Sequence, residues 1–278
     1  MSLATDVFGF VRDHVRAESA IVLDSGKEYL VESRLVPLAR EHGHASVDDL
    51  VRTLQRTRDR VLLRKVVEAL TTNETSFYRD NDPFVALRQS VLPELAQARP
   101  DRRLRVWAAA CSTGQEPYSI AMAVKETPAL AGFDVDILGT DLSEEVLAKA
   151  RTAEFSQLEV NRGLPATALV RYFQRSGTNW RLDPAVARMV RFSCLNLTRP
   201  FGPVGTFDVV FLRNVLIYFD VETKRDVLRR VRQVMAPDGY LFLGAAEMTM
   251  GVDDAWERLP AGRSSVYRIR QDAVAGAR

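Results

Sequence analysis

The stretch Leu104–Ile120 constrains the fold of this 278-residue chain more than any other part of the sequence. It reads L-R-V-W-A-A-A-C-S-T-G-Q-E-P-Y-S-I, which is an apolar run, then small residues, then an apolar-periodic segment that opens at Glu116-Pro117. The apolar run is typical of a strand buried on both faces. Proline is favourable just inside a helix N-terminus, because its missing N–H needs no partner there. The pattern therefore predicts a strand, a small-residue loop and a helix N-terminus.

A second unit of the same kind follows at Asp134–Asp141, read as D-V-D-I-L-G-T-D, with a helix predicted from Ser143. In nucleotide-binding α/β folds, an acid at the end of the second strand holds the ribose hydroxyl groups. The first loop lacks the three glycines of a dinucleotide fingerprint and the Gly-Lys-Ser/Thr of a phosphate-binding loop. The two units favour a nucleoside ligand without pyrophosphate, such as S-adenosylmethionine. An ordinary tight connection between strand and helix is the alternative for the loop alone.

The rest of the chain continues the alternation of strands and helices. Strands are predicted at Met189–Leu197, Phe207–Asn214, Gly239–Glu247 and Ser264–Ile269, with a helix over Val221–Met235. Because ligands of a doubly wound sheet bind at the carboxyl ends of its strands, polar residues near those ends predict a shared site. These polar residues are Glu116, Asp141, Asn196, Arg213 and Asn214.

Two regions lie outside this alternation. Residues 3–71 carry helical patterns only, and residues 154–189 lose the strand–helix regularity and contain a hairpin-like turn at Ser176–Asn179. We therefore predict an N-terminal helical domain with its linker over residues 1–80. An α/β domain is expected over residues 81–278, with a small antiparallel β-subdomain inserted at about 154–189.

Basic residues are concentrated between Arg52 and Lys65. If this segment is one continuous helix, residues four positions apart form a single cationic stripe. The stripe consists of Arg52, Arg56, Arg60 and Arg64. A solvated helix face is the simpler interpretation, and a docking surface for an acidic protein is the sharper one. Nucleic acid is disfavoured, because no aromatic residues are interleaved and the net charge is only +2.

Composition excludes several other classes. The chain shows no signal-peptide pattern and no apolar run of membrane-spanning length, so we expect no direct membrane insertion. Two cysteines provide no disulfide framework, which favours the cytoplasm. The three histidines all lie within the first 44 residues without ligand-like spacing, so no metal site is expected.

Six stretches, taken in order, resemble the CheR family of chemotaxis receptor methyltransferases over nearly the whole chain. They are T-N-E-T-S-F-Y-R-D (72–80), S-T-G-Q-E-P-Y-S-I-A (112–121), G-T-D-L-S (139–143), N-L (196–197), R-N-V-L-I-Y-F-D (213–220) and G-Y-L-F-L-G-A-A-E (239–247). The resemblance implies a class I S-adenosylmethionine-dependent methyltransferase fold, which is a Rossmann-like doubly wound sheet, with an N-terminal all-helical domain and an inserted antiparallel β-subdomain. It also implies methyl transfer to glutamate side chains on the cytoplasmic helices of methyl-accepting chemotaxis receptors, with S-adenosylhomocysteine as product.

The resemblance further implies a role for each matching residue. These residues would close over the cofactor (Asn73, Thr75, Arg79), hold its polar groups (Glu116, Asp141), lie near its adenine (Asn196, Leu197) and lie near its methionine end (Arg213, Asn214). Arg79 and Tyr218 resemble the family's residues at the methyl-transfer centre. Because receptor methylation helices are rich in glutamate, the resemblance also favours docking by the basic residues of 52–64.

Other functions remain as alternatives. A catalytically silent cofactor-binding sensor or scaffold of a chemosensory pathway is the main one, and the presence of both Arg79 and Tyr218 argues against it. Methyltransferases that act on amines or nucleic acids commonly carry an Asn/Asp-Pro-Pro-Tyr motif after the fourth strand. The sequence Arg213-Asn214-Val215-Leu216 lacks both prolines.

Overall fold

The structure is a computed structural model that describes residues 3–271. The chain divides into two compact units. The first contains the residues up to Thr72 together with Tyr218–Thr223, and the second contains Asn73–Ile217 and the residues from Lys224 onwards. Residues 73–80, which the sequence-based division assigns to the helical domain with its linker, are grouped with the second unit.

The first unit is built from helices that bury apolar faces against one another. The helices are α1 (Thr5–Ser19), α2 (Glu28–Glu41), α3 (Val47–Thr57) and α4 (Arg60–Leu70). The hydroxyl of Ser46 accepts the Asp49 N–H and caps α3. Tyr218–Thr223 belongs to this unit, and the Val22 N–H donates a hydrogen bond to the Tyr218 carbonyl oxygen (3.2 Å).

The basic segment does not meet the condition for a single cationic stripe, because it is not one continuous helix. Helix α3 ends before Arg58, which adopts a left-handed conformation (φ 54°). The carboxylate of Asp59 then accepts the Val61 and Leu62 N–H groups and starts α4. A capping carboxylate satisfies N–H groups that have no partner within the helix, so it favours a new helix over continuation of the old one. The proposed stripe is thus split between α3 (Arg52, Arg56) and α4 (Arg60, Arg64).

The second unit is organised by a seven-stranded sheet in the order β6-β2-β1-β7-β8-β10-β9. Its strands are β1 (Arg103–Ala109), β2 (Asp134–Asp141), β6 (Val190–Cys194), β7 (Phe207–Leu212), β8 (Met235–Leu243), β9 (Trp256–Ala261) and β10 (Ser264–Ile269). β6, β2, β1, β7 and β8 pair in parallel, whereas β10 runs antiparallel to both β8 and β9. The parallel sheet with its reversal between β1 and β7 confirms the predicted doubly wound class.

Helices connect the strands and cover the sheet. They are α5 (Asp82–Ala86), α6 (Leu92–Ala98), α7 (Gln115–Lys125), α8 (Glu144–Thr152), α9 (Gln157–Asn161), α10 (Ala166–Tyr172), α11 (Pro184–Ala187) and α12 (Val221–Gln233). A π-helical turn, Leu87–Val91, joins α5 to α6. All residues of β7 are buried. Burial on both faces explains why this strand is almost uniformly apolar.

The inserted antiparallel β-subdomain is also confirmed. Its strands are β3 (Glu154–Ser156), β4 (Phe173–Ser176) and β5 (Asn179–Leu182), in the order β3-β5-β4. Phe155 and Phe173 pack edge-on against Phe77, with ring centroids 4.8 and 5.6 Å away. The subdomain therefore helps to fix the segment 72–80, in which Phe77 is fully buried.

The start of β8 differs from the sequence-based prediction. The strand begins at Met235 and contains Pro237–Gly239, which the sequence suggested as the stop between helix and strand. Its register with β7 is irregular between Phe207 and Val209. Such an irregularity accommodates a proline, which cannot donate to a regular ladder.

Candidate functional site

The loop between β1 and α7 brings the backbone close to its neighbours. Ser112 (φ 50°) and Gly114 (φ 94°) both adopt left-handed conformations. A Cβ at Gly114 would lie 3.0 Å from the Ala150 Cβ and 3.1 Å from the Tyr118 ring. Glycine therefore meets two requirements here, a positive φ and a lack of space. The rest of the loop carries small side chains, and Cys111, Ser112 and Gly114 are buried.

Asp141 lies at the carboxyl end of β2, where the sequence predicts it. Its carboxylate is buried and accepts the Ser112 N–H (2.8 Å) and the Ser143 N–H (3.1 Å). These bonds tie the first loop to the end of the neighbouring strand. In nucleotide-binding α/β folds, an acid at this position holds the ribose hydroxyl groups. The chemistry of Asp141 is therefore suited to a pair of ribose hydroxyl groups.

An ionic cluster centred on the buried Arg213 lies at the ends of β1 and β7. Arg213, whose side chain is 1% exposed, donates from Nη1 to Glu116 Oε2 (2.8 Å) and from Nη2 to Asp80 Oδ2 (2.6 Å). It also donates to the Arg79 carbonyl oxygen (3.0 Å). This arginine therefore joins the segment after β7, the first turn of α7 and the segment 79–80 into one network.

The pKa of Glu116 is raised above its usual value, because its carboxylate is buried. The positive charges of Arg213 and Arg79 act in the opposite direction. Only Oε2 of this carboxylate accepts a hydrogen bond among the described residues. The other oxygen is therefore suited to a positively charged donor, such as the ammonium group of a methionine moiety.

The segment 72–80 packs against the first loop and α7. The Asn73 carbonyl oxygen accepts a hydrogen bond from Ser112 Oγ (2.8 Å), and the Tyr78 N–H donates to Ser119 Oγ (3.0 Å). Arg79 is half-buried, and its Nη1 donates to the Glu74 carbonyl oxygen (2.9 Å). Thr75 is half-buried within the same segment. The structure thus brings this predicted cofactor cover to the loop that Asp141 holds.

Asn196 and Leu197 directly follow β6. Asn196 Oδ1 accepts the N–H and the hydroxyl of Thr198 (2.9 and 2.8 Å), and Leu197 is buried. Leu195, beside them, donates its N–H to the Asp141 carbonyl oxygen (2.9 Å). These contacts place the predicted adenine residues at the carboxyl ends of β6 and β2, next to the predicted ribose acid.

Tyr218 ends a short 3₁₀ helix, Leu216–Tyr218, and is half-buried. It belongs to the first compact unit, whereas Arg79 belongs to the second. The shared position of these two residues at a methyl-transfer centre therefore stays a prediction.

Sequence analysis missed the role of one residue, Glu247. Its carboxylate accepts the backbone N–H groups of Asn214, Val215, Leu216 and Gly244. The available signal was the acid that closes the last matched motif, G-Y-L-F-L-G-A-A-E. In the part of the chain that the structure covers, no group of three or more His, Cys, Asp or Glu side chains is placed to hold a metal ion. No helix among residues 3–271 is long and apolar enough to cross a membrane.

Comparison with known families agrees with this geometry. Residues 73–264 match the family described as CheR methyltransferase, SAM binding domain, and residues 6–71 match its all-alpha domain. The chain belongs to the CheR methyltransferase family. As a CheR methyltransferase, it uses S-adenosylmethionine as its methyl donor. Asp141, beside the small-residue loop, and the second oxygen of Glu116 fit the ribose and ammonium groups of that cofactor.

Curated relatives of this CheR protein cover nearly all of it. Chemotaxis protein methyltransferase 1 of Pseudomonas aeruginosa is 43% identical over 97% of this chain and 100% of its own length. Chemotaxis protein methyltransferase Cher2 of Pseudomonas putida is 39% identical over 96% of this chain and 100% of its own length. The chemotaxis protein methyltransferase of Vibrio parahaemolyticus is 38% identical, over 92% of this chain and 94% of its own length.

Proposed function

We propose that this protein methylates glutamate side chains on the cytoplasmic helices of methyl-accepting chemotaxis receptors, forming glutamyl methyl esters for sensory adaptation. The observation that carries the proposal is the ionic cluster of Arg213, Glu116 and Asp80 beside the loop that Asp141 holds. Relatives named chemotaxis protein methyltransferases support receptors as the substrate class. The protein would act in the cytoplasm, where those receptor helices lie.

Methyl transfer to a glutamate carboxylate requires alignment of the two reactants and no proton transfer. Bound S-adenosylmethionine supplies a methyl group on a positively charged sulfur. A substrate glutamate has a pKa of about 4.3 and is therefore already ionised near neutral pH. No general base is needed to activate it. Holding two reactants in line contributes up to about 7–11 kcal/mol, and we assign that task to the residues around the cofactor loop.

Each cofactor-binding residue has a task that its position supports. Asp141 would hold the ribose hydroxyl groups, and Asn196 and Leu197 would lie beside the adenine. Glu116 would accept the ammonium group through Oε1, since its Oε2 is bonded to Arg213. The remaining members of the set would cover the cofactor (Asn73, Thr75) or line its methionine end (Arg213, Asn214).

Arg213 would therefore act on the cofactor through Glu116. Its Nη1 and Nη2 donors already bind Glu116, Asp80 and the Arg79 carbonyl oxygen. Donors engaged in this way orient a neighbouring carboxylate better than they bind a ligand directly. The role that we propose for Arg213 is to fix Glu116 in its binding position.

Arg79 would orient the substrate carboxylate, and the Tyr218 hydroxyl would donate a hydrogen bond near it. One guanidinium nitrogen of Arg79 binds the Glu74 carbonyl oxygen (2.9 Å), which fixes the direction of the side chain. Arginine has five N–H donors, so others remain for a carboxylate. The pairing must stay loose enough for the substrate oxygen to act as a nucleophile.

The basic residues of α3 and α4 would form the receptor dock. Arg52 lies 3.9 Å from Asp6, and Arg64 pairs with Glu68 (3.0 Å), so these two charges are partly compensated within the unit. Arg56 and Arg60 are exposed. Glutamate-rich receptor helices would be attracted to this face, and the attraction should weaken as salt increases.

Peptide mapping tests the proposal. A receptor cytoplasmic fragment is incubated with the protein and S-adenosylmethionine, digested, and searched for peptides heavier by one methylene. We expect the added mass on glutamates, and its loss when those glutamates are replaced by alanine. The Arg79→Ala variant should transfer little methyl even at saturating concentrations of S-adenosylmethionine and receptor fragment. Cofactor binding by the unmodified protein without transfer to any receptor of a panel would instead favour the silent sensor.

A further inference from the structure

Glu247 holds the turn after β7 through an unusual concentration of hydrogen bonds. Its Oε2 accepts the N–H groups of Asn214 (2.7 Å) and Gly244 (2.7 Å). Its Oε1 accepts the N–H groups of Val215 (2.9 Å) and Leu216 (2.7 Å). The residue is buried, at 8% exposure. One buried carboxylate therefore uses its acceptor capacity entirely on the backbone.

Three of these donors are consecutive along the chain. Asn214 adopts a left-handed conformation (φ 58°), and Leu216 then begins the 3₁₀ helix that ends at Tyr218. Consecutive N–H groups that converge in this way form a concave anion-binding nest. Here the anion is the protein's own Glu247 side chain, so a residue that follows β8 fixes the backbone that follows β7.

The Glu247 carboxylate packs closely against the Gly244 backbone. A Cβ at Gly244 would lie 2.7 Å from Glu247 Oε2, 2.8 Å from Asn214 Nδ2 and 2.9 Å from the Asn214 nitrogen. Gly244 does not have a positive φ. Close packing, rather than backbone conformation, therefore requires glycine at this position. Gly244 and Glu247 act together as a clamp on the turn.

We propose that Glu247 is a positioning residue for methyl transfer. The turn that it clamps is preceded by Arg213, which binds Glu116, and is followed by the helix that carries Tyr218. Fixing the turn fixes where the chain enters that helix, and hence where the Tyr218 hydroxyl is presented. A misplacement of about 1 Å at a reacting group costs on the order of 10²-fold in rate. The inference rests on the proposed glutamate methylation.

The Glu247→Gln variant tests this role at nearly constant size. Glutamine replaces one acceptor oxygen by an NH₂ group, which cannot accept the two N–H groups that face it. We expect kcat for receptor methylation to fall by at least about tenfold. The dissociation constant of S-adenosylhomocysteine should change by less than about threefold, because Asp141, at the end of β2, and Glu116, in the first turn of α7, lie outside the clamped turn. If Glu247 contributed to stability alone, kcat would not fall while the dissociation constant of S-adenosylhomocysteine stays nearly unchanged.

Two further variants complete the experiment. Glu257→Gln, on the exposed face of β9, is the matched control and should behave as the unmodified protein. Gly244→Ala keeps the carboxylate but displaces the clamp, so it should also lower kcat, and it serves as the test if Glu247→Gln does not fold. A kcat within about twofold of the control in a folded clamp variant would overturn the inference, as would equal losses of kcat and affinity. If the unmodified protein and the Glu257→Gln control bind S-adenosylhomocysteine but methylate no receptor, the proposed function itself fails, and the inference fails with it.

Discussion

Arg213 and Glu116 form a buried ion pair, with Arg213 Nη1 and Glu116 Oε2 2.8 Å apart, between the end of β7 and the first turn of α7. The arginine side chain is 1% exposed and the glutamate side chain 10% exposed. Two buried charges are stable in this position only as partners. The pair therefore couples the shape of the cofactor site to the stability of the sheet that carries it.

Replacing Arg213 by methionine should destabilise the protein by about 3 kcal/mol, because Glu116 would be left buried without its partner. Affinity for S-adenosylhomocysteine should fall as well. Urea unfolding measures the free energy of unfolding, and calorimetric titration measures the affinity. The double variant Arg213→Met/Glu116→Gln should recover part of the stability but not the affinity. Equal stability of the single and double variants would contradict the pairing.

On acidification, the affinity for S-adenosylhomocysteine should begin to fall at a higher pH than it would if the Glu116 carboxyl had its usual pKa. Burial raises the pKa of Glu116 above its usual value of 4.5, so the ionised form that accepts the ammonium group is lost as pH falls through that raised pKa. Titrations with S-adenosylhomocysteine from about pH 8 down to about pH 5 measure the effect. The Glu116→Gln variant, which cannot titrate, should bind weakly and show a flatter profile. A fall of equal steepness in that variant would assign the effect to another group.

Gly114→Ala should lower both stability and cofactor affinity, whereas Gly177→Ala should lower stability alone. Both glycines have positive φ, so each alanine costs about 1–2 kcal/mol of backbone strain. Only Gly114 is also crowded, by Ala150 and Tyr118, while Gly177 has open space around it. Thermal unfolding of both variants measures the cost of backbone strain, and calorimetric titration measures the effect of each substitution on cofactor affinity. Unchanged affinity in folded Gly114→Ala would show that the loop does not approach the cofactor.

Much of the second unit could be predicted from the sequence because its signals are local. The run Asp134–Asp141 is both the predicted and the observed β2, since apolar residues between turn signals define such a strand. Asp141 and Arg213 could likewise be predicted to lie near the site. Asp141 is the last residue of the parallel strand β2, and Arg213 is the first residue after the parallel strand β7. The order of those strands then brings them to one edge of the sheet.

The remaining features depend on contacts between distant residues. The break at Arg58-Asp59 splits a segment that looks like one helix, because a single capping carboxylate outweighs helical periodicity. The clamp by Glu247 joins positions about 30 residues apart through backbone N–H groups, which carry no sequence signature. The irregular pairing that admits Pro237 into β8 is a matter of register, which composition alone does not determine.

Charge reversal on α3 and α4 should weaken receptor binding without affecting the cofactor. The variant Arg52→Glu/Arg56→Glu/Arg60→Glu removes three positive charges and adds three negative ones, so its association with a receptor fragment should be slower and less dependent on salt. A matched triple variant of exposed basic residues of the second unit, Arg102→Glu/Lys125→Glu/Arg188→Glu, controls for net charge. Surface plasmon resonance at several salt concentrations measures both. Equal losses in the two variants would indicate a general charge effect and no local dock.

The measurement that tests the central claim most directly is the alkali stability of the transferred methyl group. The protein is incubated with S-adenosylmethionine that carries a labelled methyl group and with receptor cytoplasmic fragments, and the labelled receptor is then treated with mild alkali. A glutamyl methyl ester releases the label as volatile methanol, and this is the result that we predict. Label that stays on the receptor in alkali would indicate N-methylation and would contradict glutamate O-methylation.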